Sequence, residues 1–222
     1  MNKKNYPAGG PSHPPNKRCV ARSKLICFSP ICFIFLTLLF INCTKEDKSE
    51  ELTRLSLVSP FNLTESNGAT LSNTNLNGKI WIAHFFYTRC GRECMVLGKR
   101  MGTIQKLTKS MDDVNLVSIS VDPVGDTPEY LRYYAKQFKA DTNRWFFLTG
   151  KKNEVYDLII DSFLLPASPE ISSRSEFPKN FIHSEKFAVV DKQGFVRAFF
   201  DGMDDKAPKD VFETINKLKN EL

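Results

Sequence analysis

The sequence predicts an α/β fold, a three-layer sandwich around a central mixed sheet, preceded by an N-terminal signal or anchor segment. Three observations predict it. Residues 79–87 (Lys-Ile-Trp-Ile-Ala-His-Phe-Phe-Tyr) and 114–121 are apolar on both faces, the pattern of strands buried inside a sheet. The stretches that follow them carry apolar residues at helical spacing. A β-hairpin and a final helix then close the chain, so that strand-helix alternation gives way to antiparallel pairing.

The leader comes first. Residues 1–42 hold Lys3, Lys4, Lys17, Arg18, Arg22 and Lys24 and no acid, and so carry all of the formal net charge of +6; the rest of the chain is neutral. The basic balance therefore reports a targeting segment, and no nucleic-acid surface is expected. An apolar run of 17 residues, 25–41, interrupted only by Ser29, Pro30 and Thr37, follows the charges as a signal core follows its basic region. It is short of the about 20 residues of a membrane span. The run ends at Cys43, a position that resembles the lipidated cysteine of bacterial lipoproteins, although Phe40 and Asn42 depart from the residues usual there. Lipidation at Cys43, an uncleaved signal anchor and a secreted form all remain open. Each puts the body of the chain on the outer side of a membrane, because the positive charges precede the apolar run.

Residues 44–56 read as a charged tether, and residues 57–222 as the domain. Phe61 to Gly68 is a short strand running into an Asn-Gly turn, and Leu76-Asn77-Gly78-Lys79 is a second turn. Residues 79–87 form the central strand. Residues 90–110 follow as a helix, with Met95, Leu97, Met101, Ile104 and Leu107 at roughly helical spacing. Residues 114–121 are a second buried strand, and Thr127 then caps a helix over 128–138 with Pro128 at its first position. A third strand at 145–148 passes through Thr149-Gly150 into a helix over 152–163. Residues 165–180 hold Pro166, Pro169 and Pro178 without periodicity, a long loop of a kind usually functional or mobile. Residues 185–190 and 195–200, joined by Asp191-Lys192-Gln193-Gly194, form the hairpin, and 207–222 the last helix. This is the element order of a thioredoxin-like fold.

Of the six cysteines, Cys19, Cys27 and Cys32 lie in the leader and Cys43 at its border. The domain keeps only Cys90 and Cys94, in an outer compartment where unpaired thiols tend to oxidise. A domain of about 165 residues builds its own core and needs no disulfide staple, so the pair is expected to be functional. On a helix the two Cβ atoms would lie about 6 Å apart on one face, suited to one soft metal ion or one exchangeable disulfide. The first helical turn also favours a thiolate, which makes Cys90 the expected nucleophile or primary ligand.

His183 stands at the exit of the long loop. A loop histidine is commonly a surface or hydrogen-bonded residue, but in a thioredoxin-like sheet the turn before the hairpin lies next to the cysteine turn. Two thiolates and one imidazole suit copper; zinc would want a fourth protein ligand. His84, inside the central strand, is expected to be a core histidine, and His13 belongs to the leader. Asp122 and Asp126 are explained by capping and turn formation, with an acid-base role as the alternative.

The motifs Phe61-x-Leu63, Leu76-x-Gly78-Lys79, Phe86-Tyr87-Thr88-x-Cys90-x-x-x-Cys94, Ser118-Ile119-Ser120-Val121-Asp122-Pro123-x-x-Asp126-Thr127-Pro128-Glu129, Leu148-Thr149-Gly150 and His183-Ser184 occur in the order and spacing of the Sco/SenC family. The domain resembles that family over nearly its whole length. The resemblance implies a membrane-tethered, thioredoxin-like protein that binds copper through Cys90, Cys94 and His183 and serves assembly of the copper A centre of cytochrome c oxidase. Its partners would be the oxidase subunit carrying that centre or another cuproprotein, with a thiol-disulfide reductant as a further partner. The alternative function is a thiol-disulfide reductase that keeps a cuproprotein's cysteines reduced, with Cys90 and Cys94 as its catalytic pair and a disulfide between them. A peroxiredoxin-like reading lacks its motif. The chain departs from the family at Gly91 and Met95, where prolines are usual, and at Ile182, where an Asp is common. The first two loosen the turn, the third removes an orienter of His183, and Met95 offers a soft donor unless it is simply a core residue of the helix.

Overall fold

The computed structural model describes residues 51–163 and 184–221. In chain order these form strands β1 (Ser56–Leu57), β2 (Asn62–Glu65) and β3 (Thr70–Ser72), a 3₁₀ turn (Asn73–Leu76), β4 (Ile80–Phe86), α1 (Arg92–Leu107), β5 (Val114–Ser120), α2 (Pro128–Gln137), β6 (Trp145–Thr149), α3 (Lys152–Phe163), β7 (Lys186–Val190), β8 (Phe195–Asp201) and α4 (Ala207–Asn220). The strands make one mixed sheet in the order β1-β8-β7-β4-β5-β6-β2-β3. β4 runs parallel to β5, and β5 parallel to β6, while β7 lies antiparallel on the other side of β4.

All seven residues of β4 are buried, and they alternate between two cores. Trp81, Ala83 and Phe85 pack on one face with Val155, Ile159 and Phe163 of α3. Ile80, Ile82 and Phe86 pack on the other with Leu97, Met101 and Ile104 of α1, Leu131 and Tyr134 of α2, and Val211 and Ile215 of α4. The fold is thus a three-layer α/β sandwich of thioredoxin-like kind, each layer held by apolar burial worth about 1.5–3 kcal/mol per large side chain. Caps behave as their residues dictate: Thr127 Oγ1 accepts from the Tyr130 N–H at 3.4 Å and Pro128 opens α2.

Four elements differ from expectation. The helix after the central strand begins at Arg92, with Gly91 at the N-cap, so Cys90 precedes it. β3 completes a hairpin with β2, and β1 pairs with β8; neither short edge strand has enough residues for alternation to show. The last helix stops at Asn220. The leader with Cys43, the loop at 165–180 and His183 lie outside the described residues.

Candidate metal and redox site

The parallel strands end together, which places the turn after β4 beside the turn after β5. Val121 N–H donates to Phe86 O at 2.8 Å and continues the pairing one residue past the end of β5. The cysteine turn then closes with Cys90 N–H donating to Tyr87 O at 3.0 Å. Cys90 is half-buried, while Cys94 is 4% exposed against the α1 core. Cys90 lies close enough to Cys94 to raise the pKa of its thiol, and both sulfurs act on the Tyr87 hydroxyl. The two thiols do not share a helix face, because α1 starts after Cys90. Cys90 reaches Cys94 from the turn before the helix.

This changes the electrostatics. Cys94, not Cys90, occupies the first turn of α1, and its pKa is pushed up rather than down. Burial is the largest cause and the hydrogen bond with Cys90 the next, opposed by the Tyr87 N–H donating to the Cys94 sulfur. A helix terminus supplies about 0.3–1 kcal/mol toward a thiolate, less than removal of the charge from water takes away. Cys94 is the protonated, inner partner, and Cys90 is the more exposed of the two.

Two aspartates hold the turn in place. Asp126, fully buried, accepts from the Thr88 N–H at 3.0 and 3.2 Å, from the Thr88 hydroxyl and from the Ser120 hydroxyl, both at 2.5 Å. Burial still raises its pKa despite these bonds. Asp122 forms an ion pair with Arg89, between Thr88 and Cys90 in sequence. Gly125 is required beside them, since an added Cβ would sit 2.5 Å from Asp122 Oδ2. Capping and turn formation is thus the observed role of both aspartates, and what they cap is the cysteine turn. Sequence reasoning missed this link to Thr88 and Arg89, and the Tyr87 contact; their only signal was adjacency to Cys90.

Ser184 and Glu185 line a small cavity together with Tyr87, Glu93 and Cys94. His183 itself lies outside the described residues, but its next residue is at the site. Among the described residues no group of three or more His, Cys, Asp or Glu side chains is placed to hold a metal ion. Met95 is partly buried against the α1 core. His84 is fully buried, its Nδ1 3.0 Å from Ser118 Oγ, its ring stacked on Phe86 and edge-on to Phe187. Burial lowers its pKa to about 3, which fits a neutral core histidine.

The SCO1/SenC family model matches residues 49–220. The chain belongs to the SCO1/SenC family. It is 29% identical over 159 residues to the SCO1 protein homolog of Bacillus subtilis, covering 71% of this chain and 80% of that one. A SCO1/SenC family lipoprotein from Bacillus anthracis superposes with a TM-score of 0.65 at 28% identity, over 77% of this chain and 98% of the other. BsSco, a member of the Sco family of cytochrome c oxidase assembly proteins in which a disulfide switch was identified, superposes at 0.64 with 25% identity, again over 77% and 98%. The ScoI structure of Bradyrhizobium japonicum, solved with copper bound, shares the fold at 0.59 with 23% identity, over 73% and 99%. The SCO1/SenC relationship spans the sheet and all four helices described above.

Proposed function

We propose that this SCO1/SenC domain is an extracytoplasmic, membrane-tethered copper metallochaperone that takes copper through Cys90, Cys94 and His183 and passes it to the copper A centre of cytochrome c oxidase. The observation that carries the reading is the closeness of the Cys90 and Cys94 thiols after β4, with Ser184, the residue after His183, lining the same small cavity as Cys94. Two soft sulfurs and an imidazole are a donor set for copper. Cys94 must lose its proton on binding, so uptake releases protons and affinity rises with pH. The family relatives named as a lipoprotein, as oxidase assembly proteins and with copper bound support the same assignment. The tether rests on the leader and Cys43, since no helix among the described residues is long and apolar enough to cross a membrane.

The test is copper stoichiometry on reduced protein. Wild type should bind about one copper per chain, and His183→Ala should weaken binding by more than about 100-fold, beyond the loss of a residue that only orients a ligand. Unchanged affinity in His183→Ala would remove His183 from the site, and no binding in wild type would remove the copper function.

The burial difference between the cysteines favours thiol exchange as a second reading. The Cys90 thiolate attacks a target disulfide, one target thiolate leaves, and Cys94, after losing its proton, attacks the Cys90 sulfur. The target gains two electrons as two thiols, and Cys90 and Cys94 are left as a disulfide for an external thiol reductant. Cys94→Ser should then trap a mixed disulfide with the target, and His183→Ala should exchange as wild type does.

A further inference from the structure

Six large apolar side chains are exposed among the described residues, and three of them, Val124, Tyr130 and Tyr133, stand on the turn after β5 and on the helix it leads into. The packing of α1 on α2 shows where these three lie. The Tyr134 hydroxyl donates to Cys94 O at 3.3 Å, and one turn further along both helices Gly98 lies against the Phe138 ring. The two helices therefore run side by side in the same direction, Cys94 level with Tyr134 and Gly98 with Phe138. One turn back, that register sets Tyr130 level with the cysteine turn at Cys90, and Tyr133 is its neighbour on the surface of α2. Val124 stands on the other side of the same turn. An added Cβ at Gly125 would lie 2.8 Å from Arg89 Nη2, so residues 122–125 pack on the residue before Cys90. Single exposed apolar residues are ordinary, but a group of them beside a reactive pair marks an interaction surface.

Charge sets the kind of partner. α1 and α2 hold six basic residues and two acids, in a chain that is neutral outside its leader. Arg92 and Lys99 are exposed on α1; Asp122 offsets Arg89, and Glu129 is the exposed acid of α2. We propose that this flank of α1 and α2 is the docking surface for the copper-accepting protein, whose matching face is acidic around an apolar centre. The proposal rests on the chaperone reading above and adds the place and chemistry of the encounter. Copper leaves Cys90 only for ligands that reach it, so the acceptor must cover the surface beside the cysteine turn. The exchange is redox-neutral: acceptor thiolates bond to copper as the sulfurs of Cys90 and Cys94 leave it, and the protons of the acceptor thiols pass to Cys90 and Cys94. Tyr130 and Tyr133 offer large contact area with little side-chain entropy to lose, and opposite charge on the acceptor guides its approach.

The copper-loaded full chain is mixed with the copper-free, copper A-bearing domain of an oxidase subunit, and the transfer rate is followed against acceptor concentration. Tyr130→Ser with Tyr133→Ser should raise the half-saturating acceptor concentration about tenfold or more, with copper stoichiometry and the rate at saturation as in wild type. Lys99→Glu should raise it too and should flatten its dependence on salt. Leu107→Ser, an exposed site at the far end of α1, should transfer as wild type does. All four side chains are exposed, so the variants keep the fold. A wild type that binds copper but hands none over removes the chaperone reading, and this surface with it. Wild-type transfer by the tyrosine variant, or an equal loss in Leu107→Ser, removes the docking surface alone. Binding of phosphatidylglycerol vesicles, or a dimer in sedimentation, that the tyrosine substitutions abolish would give the surface a different occupant and overturn the proposal.

Discussion

Removing the Asp126 carboxylate strands three donors at once: the Thr88 N–H, the Thr88 hydroxyl and the Ser120 hydroxyl. Each buried donor left unpaired costs about 1–3 kcal/mol. Asp126→Ala should therefore lower stability by about 2 kcal/mol or more in urea unfolding, and should weaken copper binding because the turn before Cys90 loses its anchor. A loss below about 0.5 kcal/mol would show that the turn holds itself. The buried titratable groups also set a pH dependence, with opposite signs. His84 has a native pKa of about 3 against an ordinary 6.5, so the unfolded chain takes up a proton that the native state refuses. From pH 6.5 down to about 3 this should remove about 1.4 kcal/mol of stability per pH unit, and His84→Leu should flatten that slope. Asp126 works the other way. Its raised pKa means the native state holds that proton more tightly, so its contribution is largest in acid and declines as pH rises through the native value.

Among the elements, α1 decides how tightly the site is built. Gly98 faces Phe138 at the end of α2, and an added Cβ would lie 2.3 Å from the Phe138 ring. Gly98→Ala gains about 1 kcal/mol of helix propensity but overpacks a contact of two helices, which costs about 1–3 kcal/mol. The net result should be destabilising, with Phe138→Leu in the same chain restoring the midpoint; a stabilised Gly98→Ala would show that the two helices separate readily. β4, β5, β6, α2, α3 and the β7–β8 hairpin were legible from apolar pattern, capping and turn residues. The start of α1 was not. Its residues 90 and 91 carry no capping oxygen, so spacing alone ran the helix two residues too far toward the N-terminus. β1 and β3 were hidden for another reason: a strand of two or three residues exists only because its neighbour supplies the hydrogen bonds.

Across the whole molecule, the segment entering the domain is clamped far from the cysteines. Arg197 is buried, with Nη1 2.9 Å from Asp191 Oδ2, Nη2 2.6 Å from Glu221 Oε2 and Nε donating to Leu52 O at 2.9 Å. The clamp lies at the start of β4, where Val190 pairs with Trp81, whereas the cysteine turn follows the other end. The seven residues of β4 separate the two by roughly 20 Å. Arg197→Met leaves a buried carboxylate unpaired and should cost about 3–5 kcal/mol, while copper stoichiometry stays at the wild-type value. A parallel loss of copper binding would tie the clamp to the site.

The sequence by itself determined the α/β layering, the family and the candidate pair, because buried strands, helix spacing and a cysteine motif are local patterns. It did not determine how Cys90 meets Cys94, which thiol is buried, or what Asp122 and Asp126 hold. Those were decided by the parallel pairing of β4 with β5, which brings residues 87–90 against residues 120–126 and places Cys94 under the sheet's apolar face. Burial and long-range hydrogen bonds are properties of that pairing, and no single segment carries them.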